Sequence, residues 1–266
     1  MVKSVTGFVD SFPNGKDDYL ESAADFLNNL YTLASEPGAH YFVDKTPRYH
    51  LVVDELLRAY PNGKFIFLWR NPLAISASMI QTWGKGKWNL YMFLVDLYSG
   101  ITSLVEAFEK NRDRTIAVRY EDLVSSPDQE LVRIMSYLEL DNDMDLQDSF
   151  LDKNRVDAPG RGDPTGQSKY NRISQDSMDS WKSVMSNPFR KAWCKSYLEW
   201  IGPQRLNTMG YDLKSFYQTI DSQSTNVDYL ISDIVRHAYG KIYCRLQLDC
   251  IRNNEPWADG LYFPKN

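Results

Sequence analysis

Cysteine is scarce in this chain, at three in 266 residues. Cys194, Cys244 and Cys250 are too few and too oddly numbered for a disulfide framework, so a reducing, cytoplasmic setting is the simpler expectation. No apolar run approaches the roughly 20 residues of a bilayer span, and the N-terminus has no signal-peptide pattern. Excess basic charge is missing too. With 30 Lys and Arg against 35 Asp and Glu, the net charge is −5. That argues against bulk attraction to nucleic acid or an anionic membrane, while leaving room for a local basic pocket. No His, Cys and Asp cluster stands at ligand spacing, so no metal is expected. A Walker-type glycine-rich loop is also missing, which argues against phosphoryl transfer of that kind.

What is present reads as an ordinary globular chain, 43% hydrophobic and 24% charged, with material for one sizeable α/β domain or a domain plus an appendage. The organising stretch is Lys64–Ser78, KFIFLWRNPLAISAS. Phe65 to Trp69 is a short apolar run bounded by the turn Pro61-Asn62-Gly63, which predicts a buried strand. Arg70-Asn71-Pro72 follows, with a helix from about Leu73 and Pro72 suited to its first turn. A strand that ends at an arginine and turns into a helix can hold an anion. The guanidinium offers a planar fork of donors, the helix start offers unpaired N–H groups, and Ser76 or Ser78 can add a hydroxyl. The same pattern also fits an ordinary strand–helix unit whose Arg70 pairs with a carboxylate.

Along the rest of the chain, Leu20, Ala24, Phe26, Leu27, Leu30 and Leu33 predict an amphipathic helix over about 19–34. Tyr41–Val43 reads as a short strand leading to Asp44-Lys45-Thr46-Pro47. There Thr46 resembles a helix N-cap and Pro47 a first helical residue. Two consecutive strand-to-helix turns would then each carry a cation, Lys45 and Arg70, at the sheet edge where ligands bind in open α/β folds. Trp83–Trp88 reads as a basic, aromatic, flexible loop, suited to closing over a ligand or to joining helices. A long helix is expected over 89–110 and a third strand at Thr115–Tyr120. A further helix runs from Ser126-Pro127 to about Leu140, and a long loop covers 141–176. Helices return around 177–185 and 188–201. Residues 212–227 read as a linker, and Ile231, Ile234, Val235, Ala238, Ile242 and Leu246 mark a final apolar helix face.

Taken together, several stretches resemble the sulfotransferases that use 3′-phosphoadenosine 5′-phosphosulfate (PAPS). They are Asp44–Tyr49, Pro61–Pro72 with Ser78, Arg119–Leu123 with Pro127, and weaker echoes at Gly162-Asp163-Pro164, Trp181-Lys182 and Met209-Gly210-Tyr211. The resemblance implies an α/β fold with a mostly parallel central sheet flanked by helices, related to P-loop proteins. Residues 1–211 would form that domain, and 212–266 a linker and helical extension. It implies transfer of a sulfuryl group from PAPS to an acceptor hydroxyl, releasing adenosine 3′,5′-bisphosphate. By the same resemblance Arg70 and Ser78 hold the 3′-phosphate, Tyr120 lies near the adenine, and Lys45 approaches the transferring sulfonate. Asp44 is a candidate base, with His40 and His50 as alternatives. Lys169 and Arg172 are candidates for the far side of the phosphate, while Glu121 and Asp122 read as structural. The chain departs from the family in one respect. No strand followed by a Gly/Ser/Thr-rich phosphosulfate loop is found in residues 1–40 or in the C-terminal segment. The alternative is therefore a non-catalytic module of the same fold that binds nucleotide or a partner.

Overall fold

The computed structural model describes residues 7–141, 175 and 177–246. They fall into two compact units divided between Phe65 and Ile66. In the first unit, helix α1 (Lys16–Ala34) packs on the short helix α2 (Val53–Ala59). The buried residues are Leu20 and Ala24 on one helix and Val53 and Leu57 on the other, each pair one helical turn apart. Lys16 pairs with Glu55 at 2.6 Å, and Arg58 pairs with Asp17. The strand expected at 41–43 is not formed. Tyr41, Phe42 and Val43 are exposed, and Phe42 instead stacks on Tyr31 of α1 with ring centroids 4.5 Å apart. Thr46 caps nothing: its carbonyl accepts Tyr49 N in a turn, and a single 3₁₀ turn, Tyr49–Leu51, precedes α2.

Strand β1 (Phe65–Trp69) starts at that boundary and runs into helix α3 (Pro72–Gly84). It pairs in parallel with β2 (Thr115–Arg119), and the described sheet has these two strands. Alternation decides which face of β1 is covered. Phe67 and Trp69 point inward, each within 6 Å of the Phe108 ring on helix α4 (Gly100–Lys110), while Ile66 and Leu68 are exposed. One face of the strand is thus covered where helices on both sides were expected. Beyond β2, helix α5 (Tyr120–Ser125) and helix α6 (Pro127–Leu138) follow directly. Arg133 of α6 donates to the Ala117 carbonyl at 2.7 Å, which occupies a backbone acceptor of β2.

The expected helix over 89–110 is broken into a 3₁₀ turn at Leu90–Phe93, a π turn at Val95–Ser99, and then α4. The π turn has a physical correlate: the buried Tyr197 hydroxyl donates to the Leu97 carbonyl at 2.7 Å. After the short helix α7 (Ser180–Val184) comes α8 (Pro188–Thr208), the centre of the core. Cys194, Tyr197, Leu198 and Ile201 recur at helical spacing and are all buried. A kink at Gly202, φ 79°, just before Pro203, separates its last turns. Residues 212–227, expected as a linker, contain helix α9 (Leu213–Ser222), capped by Asp212 accepting Ser215 N at 2.7 Å and anchored by Phe216 and Ile220. Helix α10 (Leu230–Arg245) ends the described chain.

The rotation of α10 is the reverse of the one its apolar pattern suggests. Ile231, Val235 and Ile242 are 79%, 61% and 58% exposed, whereas Asp233, Gly240 and Cys244 face inward. Asp233 sets this. Its carboxylate accepts Arg190 Nε at 2.6 Å, Arg190 Nη2 at 3.1 Å, Asn187 Nδ2 at 2.8 Å and Trp88 N at 3.1 Å. Arg190 also donates to the carbonyls of Val184 and Gly86, both at 2.7 Å. Residues 86–88 are therefore tied into the core, and the basic aromatic loop is not the free flap its composition suggested. Trp88 is buried and Trp83 is exposed.

Breaking a buried, fully bonded pair strands the partner's charge, so Asp233→Asn or Arg190→Ala should each destabilise the chain by about 3–5 kcal/mol. The double variant should cost clearly less than the sum. Urea unfolding followed by circular dichroism measures both.

Candidate functional site

The parallel pairing of β1 and β2 brings the residues just beyond each strand side by side. Arg70 leaves β1 and Tyr120 leaves β2, and the Arg70 guanidinium carbon sits 4.4 Å from the centroid of the Tyr120 ring. This contact holds the guanidinium over an aromatic face without using its N–H donors. Arg70 Nε is buried and has no hydrogen-bond partner among the described residues. The Tyr120 hydroxyl is 2.7 Å from the Ser177 hydroxyl, which fixes the far end of the ring. The reading in which Arg70 pairs with a carboxylate finds no ion pair of Arg70 among the described residues.

The neighbouring strand end repeats the device. Arg119, the last residue of β2, lies 4.7 Å over the ring of Tyr211 and 3.6 Å from Asp122. Gly210 is required here. It has φ +84°, and a Cβ on it would lie 2.7 Å from Arg119 Cδ. Glu121 then locks the two strand ends together, accepting Asn71 N at 2.9 Å on Oε1 and the Tyr211 hydroxyl at 2.6 Å on Oε2. Burial, then the Glu121 carboxylate, pushes the Tyr211 phenol well above its ordinary range, so it stays a donor. Arg119 and Tyr211 drew no role from the sequence, although both strands ending in arginine was a usable signal. Ser177 carried none, because its partner lies 57 residues away.

The helix start offers less to an anion than its sequence suggests. The Asn71 side chain accepts Leu73 N at 2.9 Å and Ala74 N at 3.2 Å, so two of the first-turn donors are already used. Ser76 is buried and donates back to the Pro72 carbonyl at 2.8 Å, which removes it as a ligand donor. Ser78 is exposed on α3.

Lys45 and Asp44 lie in the first unit. With no strand at 41–43, Lys45 does not stand at a strand end; it is an exposed residue of an extended segment. Asp44 Oδ2 accepts the Tyr31 hydroxyl at 2.5 Å and also the Tyr49 hydroxyl. Burial, then the bond to Asp44, raises the Tyr31 and Tyr49 phenols above their ordinary value, so both remain donors that tether residue 44. Of the two alternative bases, His40 is exposed and His50 is buried. Lys169, Arg172 and the Gly162-Asp163-Pro164 stretch lie outside the described residues.

Gly210→Ala tests the construction of the strand-end cluster. The forbidden φ and the overlap with Arg119 should together cost about 1–3 kcal/mol. A thermal scan should show the loss, and it should be smaller when Arg119→Ala is added, because the overlap with Cδ is then removed.

Residues 13–144 match the family model described as Sulfotransferase family. Among curated proteins, the Nodulation protein NoeE of Sinorhizobium fredii (strain NBRC 101917 / NGR234) is 32% identical over 150 residues. That match covers 48% of this chain and 35% of NoeE, so the chain spans about a third of that relative's length. Among solved structures, a Sulfotransferase Domain from the Curacin Biosynthetic Pathway superposes with a TM-score of 0.53 at 20% identity. It covers 71% of this chain and 68% of that one, and it shows the fold. The ordered motifs, the pair of parallel strands with an arginine at or just after each end, and these matches agree: residues 13–144 are similar to the sulfotransferase family.

Proposed function

We propose that this chain carries the 3′-phosphoadenosine side of a sulfotransferase site, taking PAPS as donor and a hydroxyl compound as acceptor. The observation that carries the reading is Arg70, whose buried Nε has no partner among the described residues while its guanidinium rests on Tyr120. A buried donor without an acceptor costs about 1–3 kcal/mol, so its retention beside a strand end is best explained by an incoming anion. A phosphate dianion suits a planar guanidinium held flat against a ring. In this reading Arg70 and Ser78 bind the 3′-phosphate, and the Tyr120 face lies by the adenine. Lys169 and Arg172 are assigned to the opposite side of the phosphate.

When bound, PAPS supplies an activated sulfuryl group. The acceptor oxygen bonds to sulfur, the bond from sulfur to the 5′-phosphate oxygen breaks, and the acceptor proton passes to a base or water. Lys45 is proposed to neutralise charge developing on the leaving oxygen. Asp44, tethered by two phenols, is proposed to orient the Lys45 segment. A second reading, a non-catalytic nucleotide-binding module, is favoured by the two N–H groups that Asn71 has already capped.

Arg70→Ala should weaken adenosine 3′,5′-bisphosphate binding by about 2–4 kcal/mol in calorimetry, with the unfolding midpoint little changed. Arg70→Lys should not restore it fully, since an ammonium lacks the planar fork. Unchanged affinity in folded Arg70→Ala overturns the assignment. Labelled PAPS separates the two readings: turnover that falls in Lys45→Ala more than donor affinity does supports the enzyme. Nucleotide binding without any transfer, across a panel of hydroxyl acceptors, supports the module.

A further inference from the structure

Away from the strand ends, the second unit contains a cavity of about 160 Å³ between α8, α10 and the segment 88–98. Its walls are mainly aromatic: Trp88, Tyr91, Tyr98 and Trp193, with His237 and Lys241 supplying polarity. We propose that this cavity is a binding site for a single planar aromatic ring bearing an anionic group, an aryl carboxylate in its simplest form.

Size sets the first limit. An apolar cavity of roughly 150 Å³ accepts one benzene ring, so this one holds one ring and no long chain. Wall geometry sets the second. Trp88 meets Trp193 at 5.2 Å and 78°, and meets His237 at 5.9 Å and 80°. These edge-to-face contacts hold the wall rings in place, and a further ring can join by the same stacked or edge-on contacts. The box is assembled in advance. Trp88 N is held by Asp233, and Tyr91 packs where Gly240 has no side chain: a Cβ there would lie 2.5 Å from Tyr91 Cγ. A glycine inside a helix costs about 1 kcal/mol relative to alanine, and here it makes room for a cavity wall.

Charge sets the third limit. Lys241 is the one charged lining residue, and no carboxylate or side-chain amide lines the cavity. Burial first, then the Lys241 charge, lowers the His237 pKa, so the imidazole is neutral near neutral pH and adds no competing charge. A cationic ligand is disfavoured by Lys241. A sugar is also disfavoured, because its many hydroxyls need the carboxylates and amides that this wall lacks. A ring buried among aromatics with its anion at the exposed Lys241 satisfies both ends.

The test uses the full chain, with benzoate and benzyl alcohol as probes followed by saturation-transfer NMR and calorimetry. Benzoate should bind saturably with a Kd on the order of 1 mM, as befits a fragment of its size. Lys241→Gln, an exposed change, should weaken benzoate about fivefold and leave benzyl alcohol unaltered. Leu94→Trp, which fills the cavity, should abolish both, and Arg70→Ala should alter neither. The proposal is overturned if neither probe saturates up to about 10 mM. It is equally overturned if Lys241→Gln leaves benzoate affinity unchanged, if benzyl alcohol binds the tighter, or if Arg70→Ala removes benzoate binding. The last result would place the anion at the strand ends. None of these outcomes depends on sulfuryl transfer.

Discussion

The second unit hangs on one buried ion pair. Arg190 and Asp233 have 4% and 0% of their side chains exposed, and their side-chain hydrogen bonds and ring contact reach three separated stretches, at 86–88, 184–187 and Tyr229. Two charges removed from water recover their desolvation cost only with such complete satisfaction. The network therefore specifies one arrangement and penalises every other. It fixes the start of α8, sets the rotation of α10 and draws the 86–88 backbone inward. The outward apolar stripe of α10 follows from that constraint: the helix cannot present Asp233 to Arg190 and also bury Ile231, Val235 and Ile242.

The strand ends follow a different logic, in which each arginine rests on an aromatic face, Arg119 with Asp122 beside it. Arg70 on Tyr120 and Arg119 on Tyr211 leave guanidinium donors for other uses, and Glu121 takes up backbone and phenol donors in place of Arg70. A carboxylate paired directly with Arg70 would neutralise the charge that a phosphate needs. The Met209-Gly210-Tyr211 stretch gains its meaning here: the glycine admits Arg119, and the tyrosine carries both the cation contact and the bond to Glu121.

The first unit is held by shorter-range forces. Its two helices share a small apolar seam, and the 41–49 segment is kept by a ring stack and two phenols on Asp44. An extended backbone becomes a strand only when a neighbour accepts its hydrogen bonds. Residues 41–43 have the composition of a strand but form none, and the stack of Phe42 on Tyr31 holds their place.

Local pattern alone determined β1, α3 and β2. A five-residue apolar run, a Pro-Asn-Gly turn and a proline at the first helical position are short-range signals whose physics is complete within a few residues. The ordered motifs likewise pointed to the family whose model matches residues 13–144. Tertiary structure alone decided which of two serines stays available, since Ser76 and Ser78 differ only in what their helix packs against. It also decided that Arg119 joins Tyr211 across 92 residues of chain and that α10 turns its charged residue inward. Periodicity reports how many apolar side chains share a face. It carries no term for a buried carboxylate whose partner lies 43 residues away, and that partner outweighed the apolar stripe.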